Sequence, residues 1–132
     1  MLIRGPAGCG KSRLALGLLD AAAQGLVRFA RLVTDDRAEL EPCHGRLLVR
    51  PPAPIRGLIE IRGLGIRRLP FEPVAVVGLV VDLEASDAAR LPLAQDAKTE
   101  LEGVVLPRLA VAAGADPLPL VLAAIALPDP AF

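Results

Sequence analysis

The pattern of apolar and polar positions divides the chain into several short strands with one helix near each end. A short apolar segment, residues 1–4, runs directly into Gly5-Pro6-Ala7-Gly8-Cys9-Gly10. Beyond it Leu14, Leu16, Leu18 and Leu19, interleaved with Ala15, supply the apolar face of a helix expected from Lys11 to about Ala23. Gly25 is a fitting stop. Residues 29–34 read as a strand ending in Asp35-Asp36, residues 39–45 as a polar turn region, and residues 46–50 as a second strand. Pro51-Pro52-Ala53-Pro54 forces an extended or turn connection, because each proline also disfavours helix in the residue before it. A single helical turn over 55–59 leads to a strand over 60–67 broken by Gly63 and Gly65.

The strongest strand signal covers residues 73–83, where Val74, Val76, Val77, Val80 and Val81 read as a fully buried strand. Residues 103–111 give another strand. A last helix is expected over 117–127, with Pro117 and Pro119 tolerable in its first turn. Most of these strands follow one another without helices between them. Parallel neighbours need a crossover of roughly a dozen residues, so much of the sheet must be antiparallel or mixed. The expected class is α/β, with a mixed sheet flanked by helices.

The chain has 132 residues, enough for a single domain at roughly 100–200 residues each. At 53% hydrophobic and 2% aromatic, its core must be built from Ala, Leu, Val and Ile. A mean hydropathy of +0.50 raises the membrane question. The apolar stretch 118–127 falls well short of the about 20 residues a spanning helix needs, and no signal-peptide pattern is present. Fifteen basic and fifteen acidic residues balance, so no general electrostatic case exists for nucleic acid or an anionic membrane surface. Cys9 and Cys43 sit in no metal-ligand spacing and form no disulfide framework. A soluble cytoplasmic protein is expected.

The chemistry starts at the N-terminus. Gly5-Pro6-Ala7-Gly8-Cys9-Gly10-Lys11-Ser12 fits G-x-x-x-x-G-K-[ST] throughout. Small residues let successive backbone N–H groups curl around phosphate oxygens, and the helix that follows adds its N-terminal partial charge. Lys11 would reach the terminal phosphates of ATP, and the Ser12 hydroxyl would ligate magnesium. The basic side chains are thirteen Arg and only two Lys, and one of the two occupies the slot that requires it. Cys9 lies where helix-terminal amides lower a thiol pKa, although a small residue in a tight loop needs no further explanation.

A second acidic site is expected at the end of an apolar strand. Leu79-Val80-Val81-Asp82 and Leu32-Val33-Thr34-Asp35-Asp36 both qualify, and spacing alone does not separate them. Adjacent strand residues point to opposite faces, so Asp35 and Asp36 would divide the work.

The segment Gly57-Leu58-Ile59-Glu60-Ile61-Arg62-Gly63-Leu64-Gly65-Ile66 changes the picture. Together with the phosphate loop and Leu32-Val33-Thr34-Asp35-Asp36-Arg37, it resembles the catalytic domain of HPr kinase/phosphorylase, and is most similar to the short alphaproteobacterial versions. The resemblance runs from Leu2 to about Arg108, with three motifs in the family's order. It implies a phosphoenolpyruvate-carboxykinase-like mixed β-sheet and transfer of phosphate from ATP to a serine of HPr, the phosphocarrier of the sugar phosphotransferase system. It further implies Lys11 as a catalytic cation, Ser12 and Glu60 as magnesium ligands, and Asp36 as acceptor of the serine proton with Asp35 beside it. Arg62 lies in the signature segment, and Arg108 is the match to the family's later catalytic Arg. Asp82 then becomes a strand-end residue capping 86–90. Family members assemble as oligomers, which the apolar composition would suit.

Two departures accompany the resemblance. The family carries a His on the strand before the phosphate loop, where this chain has Met1-Leu2-Ile3, and His44 does not match it. A truncated or mis-assigned start would explain the difference; a genuinely missing strand would expose a sheet edge and weaken the site. Residues 113–132 show no counterpart of the segment that longer members use for dephosphorylation, which favours kinase activity over the reverse reaction. Two other functions fit the same loop: a small-molecule kinase or NTPase with Asp82 on magnesium, and a non-catalytic ATP-binding regulatory partner.

Overall fold

The computed structural model describes residues 1–127. Along them run β1 (Leu2–Arg4), α1 (Lys11–Ala23), β2 (Glu39–Cys43), β3 (Arg46–Arg50), a 3-10 turn (Ala53–Ile55), β4 (Leu58–Ile61) and β5 (Gly65–Arg68). β6 (Ala75–Val76), β7 (Val80–Asp82), β8 (Lys98–Leu101), β9 (Val104–Ala110) and α2 (Pro117–Ala126) complete the order. The expected mixed α/β architecture is present. The largest sheet has the order β1-β7-β9-β8, with β1–β7 and β7–β9 parallel and β8–β9 antiparallel.

β7 explains the two-sided burial. Val80 packs with Leu47, Val49, Val77, Val104 and Leu106, toward the smaller sheet β2-β3-β6. Its neighbour Val81 points the other way, into Leu14, Leu83, Val111 and Val121 below α1 and α2. A strand covered on both faces needs consecutive apolar residues rather than alternation. Among the described residues β1 pairs only with β7 and forms the edge of its sheet, beside a cleft of about 900 Å³. Leu2, Leu18, Leu26 and Ile125 line that cleft, which reaches Lys11 and Asp36.

Five local expectations are corrected. The helical turn expected over 55–59 lies at Ala53–Ile55, within the proline-rich segment, and Leu58 and Ile59 already belong to β4. Residues 29–34 form no strand; a single bridge joins Leu32 to Phe71, because this segment runs beside the cleft and adds to no sheet. Residues 39–43 are strand rather than turn, since the reversal is confined to His44-Gly45, both left-handed. Pro42 is tolerated there because β2 is an edge strand. The interrupted strand over 60–67 is an antiparallel hairpin, β4–β5, folded where Gly63 and Gly65 break the run. Residues 73–83 split into β6 and β7, which serve different sheets, and β8 was not expected at all. No helix among the described residues is long and apolar enough to cross a membrane. Of the C-terminal segment 113–132, residues 128–132 lie outside the described residues.

Candidate active site

β1 delivers the chain to the carboxyl end of the parallel strands, and residues 5–10 turn there into α1. Gly8 and Gly10 adopt φ of 78° and 98°, a conformation that side chains disfavour and that lets the loop curl into α1. Gly10 is the N-cap of α1, and no side chain caps the helix. Its first-turn N–H groups are therefore the donors that an anion would satisfy. Lys11 folds back over the loop, its Nζ donating to the carbonyls of Gly5 at 2.7 Å and Pro6 at 3.1 Å. Cys9 packs its Sγ against Gly5, and both cysteines are free thiols.

Ser12 donates its hydroxyl to Asp35 Oδ1 at 2.7 Å. The other oxygen of Asp35 accepts the backbone N–H of Glu60 at 3.0 Å. One carboxylate thus joins the start of α1, the 34–37 turn and strand β4. The turn itself is closed by Arg37 N–H on Asp35 O at 2.7 Å and by the Thr34 hydroxyl on Arg37 O. Within it Asp36 takes a left-handed φ of 65° and is exposed, with no hydrogen bond to its carboxylate among the described residues. The two carboxylates differ in setting, Asp35 tied to the protein and Asp36 exposed, in a turn rather than at the end of a strand. Arg62, in the β4–β5 turn, brings Nη2 to within 3.7 Å of where a Cβ on Gly8 would stand. The structure therefore gathers Lys11, Ser12, Asp35, Glu60 and Arg62 around one loop.

Arg108 is placed differently. Its guanidinium donates to Asp82 at 2.6 Å, to both oxygens of Asp87 at 2.6 and 2.9 Å, and to the Asp96 carbonyl at 3.1 Å. Asp82 in turn holds Arg4 through two bonds of 2.7 and 2.8 Å. Partial burial pushes the Asp82 carboxyl up, but the hydrogen bonds and charges of Arg4 and Arg108 outweigh it and hold the pKa below the usual carboxylate value. The bonds to Asp87 and Asp82 raise Arg108 in the opposite sense. No helix begins at 86–90 for Asp82 to cap. This network was not legible as such, since its members lie on three separate strands and the connecting loop. His44 sits exposed in the β2–β3 turn.

No family model matches the chain. Curated relatives do: it is 36% identical over 123 residues to the HPr kinase/phosphorylase of Halalkalibacterium halodurans, covering 84% of this chain and 37% of that protein. It is 33% identical over 91 residues to the HPr kinase/phosphorylase of Clostridium tetani, covering 64% of this chain and 28% of that protein. The chain is homologous to HPr kinase/phosphorylase. The solved structure of the Hpr(Ser) kinase/phosphatase from Coxiella burnetii superposes with a TM-score of 0.72 at 24% identity, covering 93% of this chain and 78% of that one. That likeness gives the HPr kinase fold, with its mixed sheet and flanking helices. The chain spans well under half the length of these curated relatives.

Proposed function

We propose that this chain is a single catalytic domain of an ATP- and magnesium-dependent protein serine kinase whose substrate is HPr, working in the cytoplasm as a homo-oligomer. The observation that carries the reading is the convergence of Ser12, Asp35 and Glu60 beneath a phosphate loop that also holds Lys11. Homology to HPr kinase/phosphorylase supports the choice of substrate.

Ser12, Asp35 and Glu60 are the residues that would hold magnesium. The Ser12 hydroxyl and Asp35 carboxylate stand 2.7 Å apart, and the backbone N–H of Glu60, whose carboxylate would be a further ligand, is bonded to the same Asp35; hard oxygen ligands with room for water and phosphate are what this ion takes. Bound there, magnesium would neutralise charge on the terminal phosphates.

The remaining work belongs to the chain's own side chains. Lys11 leaves the carbonyls of Gly5 and Pro6 for the phosphate oxygens and offsets the charge spread over the transferring group. Arg62, leaning toward Gly8, adds a second cation on the loop's outer side. Asp36, exposed and not engaged by any hydrogen bond of its carboxylate among the described residues, accepts the proton of the serine hydroxyl as the oxygen–phosphorus bond forms and the bond to ADP breaks. Asp82 is a poor magnesium ligand because both its oxygens are held by guanidinium groups, which speaks against the small-molecule kinase reading.

The test is transfer of label from ATP with magnesium to purified HPr. Phosphoserine on HPr formed by the chain and lost in Lys11→Ala supports the kinase. ATP binding with no label on HPr would instead support a nucleotide-binding regulatory partner.

A further inference from the structure

Among the described residues, Arg4, Asp82 and Arg108 form an ion network outside the proposed catalytic groups. Asp82 Oδ2 accepts from both Arg4 Nη2 and Arg108 Nε, while Oδ1 accepts from Arg4 Nε. The Asp82 and Arg108 side chains are 15% and 13% exposed and Arg4 is 36% exposed, so water screens the Asp82–Arg108 contact far less than it would at the surface and the Arg4–Asp82 contact to a smaller extent. Arg4 is the last residue of β1 and the one before Gly5. Among the described residues the β1 backbone pairs with β7, and the Arg4 side chain adds a second hold on the segment that enters the phosphate loop.

Residues 82 and 83 supply the rest. Leu83 donates its N–H to the Arg4 carbonyl at 2.8 Å. The Leu83 Cβ and carbonyl oxygen stand 3.2 and 3.3 Å from where a Cβ on Gly5 would be. The Gly5 carbonyl in turn receives Lys11 Nζ. A continuous set of contacts therefore leads from Arg108 through Asp82 and Arg4 to the first residue of the loop and its lysine.

We propose that Asp82 is a positioning residue for the phosphate loop, fixing Arg4 and hence Gly5 and Lys11, and that Arg108 serves the reaction through Asp82 without touching phosphate. The inference rests on the reading that this loop holds ATP. It also assigns Arg108 a task other than the direct catalytic contact implied by family resemblance.

The experiment compares the unmodified chain with Asp82→Asn, Arg108→Ala, the double variant and Arg50→Gln, measuring ATP affinity by titration and turnover on HPr at saturating ATP. Arg50 pairs with Glu41 in the β2–β3 hairpin and serves as a control for loss of an ion pair elsewhere. Asp82→Asn and Arg108→Ala should each weaken ATP about tenfold while turnover at saturating ATP stays within about twofold. The double variant should be no weaker than the worse single one, because the two residues act in series. Arg50→Gln should bind ATP as the unmodified chain does. Should Asp82→Asn not fold, Arg108→Ala carries the same expectation, since it leaves the Arg4–Asp82 pair in place. Unchanged ATP affinity in Arg108→Ala, or lost turnover at saturating ATP with affinity intact, would overturn the proposal. Failure of the unmodified chain to bind ATP would remove the nucleotide reading itself, and this inference with it.

Discussion

Ser12 and Asp35 are bound to each other at 2.7 Å, hydroxyl to carboxylate, across 23 positions of sequence. The second oxygen of Asp35 holds the amide of Glu60, so the phosphate loop's last residue and the signature strand share one anchor. Replacing Asp35 by Asn leaves an acceptor for Ser12 but turns a donor toward the Glu60 N–H. We expect this to cost about 1–3 kcal/mol of stability. It should also weaken ATP binding more with magnesium than without it. Parallel titrations with and without the ion check this, and equal weakening in both would contradict a metal role for Asp35.

Asp36 makes a sharper case, because nothing in the described protein depends on its carboxylate. Asp36→Asn keeps the side chain's size and its tolerance of the left-handed backbone. Turnover on HPr should fall about 10²–10⁴-fold with ATP affinity unchanged, the signature of a lost general base. A matching loss of ATP affinity would show that Asp36 binds nucleotide instead.

Gly5 is required for space. A Cβ there would lie 2.6 Å from Cys9 Sγ and 3.2 Å from the Leu83 Cβ. Gly5→Ala should therefore shift the loop and reduce ATP binding while leaving the melting transition cooperative. Adding Cys9→Ala removes the closest clash and should restore part of the affinity. No recovery in the double variant would place the obstruction at Leu83.

Acid sensitivity follows from Asp82. Its carboxyl titrates below the ordinary 3.8 in the folded chain, under the influence of Arg4 and Arg108. The stabilisation is therefore complete above 3.8 and is lost as pH falls through the lower, folded-state value. Denaturant midpoints followed from neutral to acid pH should fall less steeply for Asp82→Asn than for the unmodified chain. Identical slopes would mean that the pair contributes nothing in solution.

Core packing gives a magnitude on stability alone. Leu47 is fully buried at the centre of the cluster around Val80, whereas Val105 is 63% exposed on the other face of β9. Leu47→Ala should cost about 2–5 kcal/mol, and Val105→Ala about 0.5 kcal/mol or less, in denaturant unfolding.

What could be read from the sequence was local. The glycine-rich turn at residues 5–10, α1 and α2 depend on residues close together in the chain, and their patterns survive folding intact. β2 escaped notice because Glu39, Glu41 and Pro42 look like a turn until pairing with β3 is known. Residues 29–34 looked like a strand because apolar residues were present, but a strand needs an edge to join, and only Leu32 finds a partner. Residues 73–83 formed one valine-rich run whose change of sheet at Gly78 leaves no mark on hydrophobicity. The same limit hid the Arg4–Asp82 pair, whose members are 78 positions apart. Asp35 and Asp36 were recognised together, but which of them holds Ser12 depended on the backbone of the 34–37 turn.

The most direct measurement places Asp36→Asn and Asp82→Asn side by side in the assay of phosphate transfer from ATP to HPr. The expected result is that Asp36→Asn binds ATP and forms no phosphoserine, while Asp82→Asn resumes transfer once ATP is raised. Persistent transfer by Asp36→Asn, together with complete loss in Asp82→Asn at any ATP concentration, would contradict the assignment and make Asp82 the essential carboxylate.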